Sequence, residues 1–210
     1  MKSSFILAVL LTALIAASET IAAQDVFEHE SSPYEGMPYF EVIKDKLELY
    51  ETASSNSPII TKLNIKKGSV MSFAFGVKEL VRHRQQSTSY GVKDGAIINN
   101  DPILGKSIQK TIKPGVIRAK TSGAVMGSLY DEGAMIEVML YLGEGVCLYR
   151  YDGKVFENDT CLFSDLQDGS LVQESQPVTE WWVSVLKNGK TLGWIKIDDK
   201  SSLRMIETIK

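Results

Sequence analysis

Histidine and cysteine are scarce in this chain, with two of each among 210 residues. A thiol nucleophile needs an imidazole close enough to generate thiolate. The only imidazoles are His29, in a polar N-terminal stretch, and His83, so a nucleophilic Cys147 is the weaker of two readings of that residue. No Gly-x-Ser-x-Gly elbow, His-Glu-x-x-His pair or Gly-rich phosphate loop occurs, which excludes the commonest signatures of serine hydrolases, zinc hydrolases and nucleotide enzymes. Asp152, Glu157 and Asp159 gather around one turn. Turn carboxylates are solvated by default, whereas acid–base work needs shifted pKa values. Glu28-His29-Glu30 lies in a segment without periodicity, which offers no ready coordination geometry. No catalytic residue, metal ligand or cofactor is expected, and the chain is read as a non-enzyme.

Positive charge is not in excess: 23 Lys and Arg against 26 Asp and Glu leave a formal net charge of −3. Nucleic-acid binding rests on neutralising phosphates, so that class of partner is set aside. Long apolar runs are missing beyond the N-terminus, where the stretch from Ala134 to Leu142 is broken by Glu137. At the N-terminus Lys2 precedes an apolar run from Phe5 to Ala17 and small residues up to Ala23. That order describes a secretory signal peptide over residues 1–23, and the run is shorter than the ~20 residues needed to span hydrocarbon. The expectation is an exported protein, periplasmic or secreted, with no integral membrane segment after cleavage.

Export places Cys147 and Cys161 in an oxidising compartment, and they bracket the turn signal Asp152-Gly153. This spacing suits a disulfide across a hairpin, whose loop closure stabilises the fold by about 3 kcal/mol in the chain-entropy model. Sustained helical periodicity is also missing. What the chain has instead is short apolar, β-branched and aromatic runs separated by turn clusters, the pattern of an all-β protein. The clearest run is Glu180 to Ile197, where Lys187-Asn188-Gly189-Lys190 divides two alternating segments. Asn-Gly between such segments predicts an antiparallel hairpin. Period-two alternation sends Trp181, Val183 and Val185 to one face and Trp182 to the other. Gly193 marks either a bend or a close backbone approach.

Trp182, Val185, Gly189, Gly193, Trp194 and Ile195 match the closing pattern of bacterial SH3 (SH3b) domains, which this chain therefore resembles. The family's opening pattern is matched twice. The first copy runs from Leu47-Glu48-Leu49-Tyr50 through the loop Thr52 to Pro58, then Ile65-Lys66-Lys67-Gly68 and Val70 to Phe75. The second runs from Val116 to Ala119, through Val125 to Gly133, and on to Met135 to Leu142. The resemblance implies two tandem small SH3-like barrels: domain 1 over residues 40–99, a linker over 100–112, and domain 2 over 113–199. A lead-in over 24–39 and a tail over 200–210 flank them. The segment from Leu142 to Pro177 exceeds a minimal barrel and reads as an inserted hairpin around Asp152-Gly153, followed by a polar loop. A single barrel drawing on both opening patterns is the alternative.

The same resemblance implies an exported non-catalytic binding protein whose partner is a peptidoglycan peptide or an envelope protein. A structural or inhibitory protein docking on a folded envelope partner is the alternative, and a wall hydrolase using Cys147 a lesser one. Candidate ligand-binding residues are Trp182, Tyr149, Tyr151 and Tyr50, with the basic cluster Arg82 and Arg84. Two readings of Trp182 stand: a ring displayed on the outer face as an anchor, or a second core residue covered by the inserted segment.

Overall fold

The structure, a computed structural model, describes residues 26–31, 38–73, 78–82, 90–92, 102–125, 127–143, 145–198 and 200–206. The expected signal segment and Arg84 lie outside them. The described chain is built of antiparallel strands, with one short helix. In order these are β1 (Phe27–His29), β2 (Tyr39–Val42), β3 (Lys46–Tyr50), β4 (Ile59–Asn64), β5 (Ser69–Met71), β6 (Lys78–Arg82), β7 (Tyr90–Val92), β8 (Ile103–Lys113) and β9 (Gly115–Ala119). There follow β10 (Gly123–Val125), β11 (Ser128–Tyr130), β12 (Met135–Gly143), β13 (Val146–Tyr151), β14 (Lys154–Asn158), helix α1 (Phe163–Asp168), β15 (Leu171–Ser175), β16 (Val178–Lys187), β17 (Lys190–Ile197) and β18 (Leu203–Ile206).

Both Asx-Gly turns form as their residues dictate. Asn188 and Gly189 take φ of 52° and 71°, and Asp152 and Gly153 take 49° and 71°. Successive positive φ values define the type I′ geometry that matches strand twist, and Asn, Asp and Gly tolerate it best. The first turn joins β16 to β17 and the second joins β13 to β14. β16 is the centre of a six-stranded sheet with the order β1-β8-β16-β17-β3-β4. Trp181, Val183 and Val185 point into a core with Phe40, Val42, Leu47, Leu49, Leu104 and Leu203, so that each layer of the core draws strands from both ends of the chain. The opposing layer is the sheet β18-β2-β5-β6-β7. No barrel closes among the described strands.

The closing Trp hairpin therefore lies beside the first opening pattern rather than the second. β17 pairs with β3 through Trp194 and Tyr50, and Gly193 makes that approach feasible. A Cβ at position 193 would stand 2.8 Å from the Leu49 Cβ and 2.8 Å from the Tyr50 carbonyl oxygen. Close approach calls for this glycine, and so does its φ of 155°, beside a register shift in β17.

Several segments are more regular than their sequence suggests. Residues 100–112, expected to link two domains, contain most of β8, an eleven-residue strand paired along both β1 and β16. The physical reason is partnership: weakly alternating residues become a strand when neighbours occupy both edges. The lead-in contributes β1, tied to β8 by the Glu28–Lys110 and Glu30–Lys106 ion pairs. The polar loop after Asp165 contains the end of α1 and the edge strand β15, and the tail contributes β18.

Lys113, at the end of β8, pairs with Val178, at the start of β16. β8 and β16 are thus the two arms of one hairpin, and everything from Pro114 to Pro177 is inserted at its tip. The insertion carries its own sheet, β14-β13-β12-β9-β15, and its own core around Ile117, Ile136, Val138, Tyr149 and Leu171. A smaller cluster of Met139, Leu140 and Leu148 packs against Phe27, and the Thr111 hydroxyl donates to the Met139 carbonyl at 2.6 Å. These contacts seat the insertion on the parent hairpin.

Candidate binding site

Residues two apart on a strand share a face, so Glu180 and Trp182 stand side by side on the face of β16 opposite the core. Across the hairpin Trp182 is registered with Lys196, and Ser184 with Trp194. That register depends on a bulge: between the Leu186–Thr191 and Val185–Gly193 pairs, β17 contributes one extra residue, Leu192. A straight register from the Asn188-Gly189 turn would have set Ile195 opposite Trp182. The extra residue instead brings Lys196 onto the face of Glu180, as bulges re-aim side chains.

Trp182 is fully buried, at 0% exposure, which corrects the reading of it as a displayed anchor. Its cover comes from β3 and the β3–β4 loop. The Tyr50 ring packs edge-on against it with centroids 5.4 Å apart and planes at 86°. Above the indole a polar latch closes. Glu180 Oε2 accepts from Trp182 Nε1 at 3.0 Å, and Glu180 Oε1 accepts from Lys196 Nζ at 2.6 Å and from Ser55 Oγ at 2.8 Å. Ser55 sits on a loop that is itself cross-braced, with the Thr52 amide donating to Ser57 Oγ and the Glu51 amide to the Pro58 carbonyl. Burial alone would raise the Glu180 carboxyl. The hydrogen bonds from Lys196, Trp182 and Ser55, with the Lys196 charge, outweigh it and hold the group below the usual carboxylate range.

Next to this latch opens a cleft of about 340 Å³. Lys44, Glu48 and Tyr50 line it from the N-terminal part of the chain, and Lys196, Asp198, Lys200 and Ser202 from the C-terminal part. Lys44 Nζ donates to the Lys200 carbonyl at 2.6 Å and so ties the two parts together. Glu48 accepts from Lys62 at 2.6 Å, and that hydrogen bond and charge lower its carboxyl. The site therefore presents an aromatic ring, ammonium groups, carboxylates and hydroxyls. Such a surface recognises polar, extended ligands by charge-assisted hydrogen bonds. Among the described residues no group of three His, Cys, Asp or Glu side chains is arranged to hold a metal ion.

The remaining sequence candidates are dispersed. Tyr149 is buried in the inserted core, which pushes its hydroxyl up to about 12. Tyr151 is half-buried and packs edge-on against Tyr130 at 6.5 Å. Arg82 ends β6, where its backbone is registered with Tyr90. Cys147 and Cys161 are joined, with an S–S distance of 2.04 Å, so Cys147 carries no thiol in this state. Among the described candidates, the fold brings Tyr50 against Trp182 and gathers Tyr149 with Tyr151 in the separate inserted core. Glu180, Lys196, Ser55, Lys44 and Lys200 were not singled out from sequence. Alternation alone places Glu180 beside Trp182, but Lys196 depends on the bulge.

Comparison of the chain with models of known protein families, with curated proteins and with solved structures finds no match in any of the three.

Proposed function

We propose that this is an exported, non-catalytic recognition protein of SH3b type that binds a cell-wall peptide or an envelope protein in the cleft beside Tyr50. The observation that carries this reading is the construction of that cleft. A tyrosine braced on a buried tryptophan is ringed by ammonium and carboxylate groups drawn from residues 44–55 and 195–202. We read the opening strand β3, its Ser-rich loop and the closing hairpin β16–β17 as one SH3b-like unit, supported by their adjacency in a single sheet. The disulfide suits an oxidising compartment. The lowered carboxyls of Glu48 and Glu180 favour binding over proton donation, because a general acid needs a raised pKa.

Titration with soluble peptidoglycan fragments, beside pull-down from envelope extracts, tests the reading. Fragment binding that is lost in Tyr50→Ala and weakened in Lys200→Ala supports it. Capture of a folded envelope protein through the same residues selects the docking alternative. A wall-degrading activity that vanishes in Cys147→Ser while the fold persists contradicts both.

A further inference from the structure

The inserted sheet holds a second cleft that the envelope-binding reading does not use. It measures about 230 Å³ and lies between β9, β12, β13, the α1 region and the exit of β15. Ile117, Val138 and Leu166 make apolar walls, and the Cys147–Cys161 disulfide closes one side. Gln173 and Gln176 are exposed at its margin, and no charged side chain lines it among the described residues.

Within this apolar surround stands Tyr149, only 1% exposed. Its hydroxyl makes no hydrogen bond among the described residues, and it is not a sealed-off polar atom either. The hydroxyl therefore keeps contact with the cleft and can donate to a molecule that enters it. Tyr149 sits opposite Phe156 on β14, with ring centroids 6.1 Å apart, so its ring is held within the inserted core. An enclosed apolar cavity of about 150 Å³ is enough to take up benzene. The space here exceeds that by enough to hold a substituted ring.

We propose that this cleft binds a small uncharged molecule with an apolar body and one hydrogen-bond-accepting oxygen, which the Tyr149 hydroxyl engages. The lining supports this class on three counts. Apolar walls reward an apolar body, the lack of charged groups leaves an ionised ligand unpaired, and the unpartnered phenol supplies one donor. That hydroxyl stays protonated well beyond neutral pH, since burial opposes the phenolate. The envelope partner discussed above is neither needed for this site nor tested by it.

Three probes of similar size separate the terms: acetophenone, ethylbenzene and benzoate, each titrated into the disulfide-bonded full-length mature protein and followed by backbone amide NMR shifts. Acetophenone should move the amides of Ile117, Val138, Tyr149, Leu166 and Gln173 saturably, and benzoate should not. Tyr149→Phe should weaken acetophenone about two- to tenfold, the worth of one net hydrogen bond, and leave ethylbenzene unchanged. Leu166→Trp, on a partly exposed helix, should fill the space and abolish binding of both. Binding of acetophenone that Tyr149→Phe leaves untouched overturns the proposal. So does equal binding of benzoate, or the lack of any saturable shift at the cleft.

Discussion

Trp182 shows how alternation can be correct while its consequence differs. The ring does point away from Trp181 and the main core, yet both faces of β16 are buried at this point. Trp182→Ala should therefore cost about 3–5 kcal/mol, read as a shift in the denaturation midpoint. Gly193→Ala should cost about 1–3 kcal/mol, since a methyl would have to displace the backbone of β3. Gly68→Ala meets no such neighbour and suffers only the strain of its φ of 81°, so it should cost less. Glu180 adds a pH signature. Its folded carboxyl lies below its unfolded value, so the latch contributes its full stability above about pH 4.3 and loses it as pH falls through the folded value. An acid titration of tryptophan fluorescence should show this step in the natural protein, and Glu180→Gln should remove it.

Among the elements, those closed by local chemistry were legible and those completed by distant partners were not. Asn188-Gly189 and Asp152-Gly153 announce their hairpins within four residues, because the positive φ values they accept define the turn. The disulfide followed from the second hairpin and two cysteines. β8 and β15 read as connections because their alternation is weak and their stability comes from strands far away in sequence. The bulge at Leu192 is the costliest omission. Shifting the register by one residue exchanges the faces of β17, and with them the identity of the residue facing Glu180. The loop closed by Cys147 and Cys161 covers β13, β14 and their turn. Reduction should destabilise that hairpin by about 3 kcal/mol in the chain-entropy model. Amide exchange should quicken there well before it does in β16 and β17.

At the scale of the whole molecule, the order of motifs along the chain differs from their arrangement in space. Strands β3 and β4 of the first opening pattern lie far from the closing Trp hairpin in sequence, yet they share one sheet with it, and β3 shares its core. The second opening pattern, in β9 and β12, belongs to the sheet inserted at the tip of the β8–β16 hairpin. No local signal encodes such an insertion; it lies in the pairing of Lys113 with Val178. The cleft beside Tyr50 is lined by both ends of the chain, so its integrity depends on the pairing of β17 with β3. Native-state hydrogen exchange across a denaturant series measures this directly. Amides of β3 should open with the same free energy and denaturant dependence as those of β16 and β17, as members of one cooperative unit. If β3 and β4 instead exchange as a unit of their own, independent of the Trp hairpin, the shared core and the cleft built on it are contradicted.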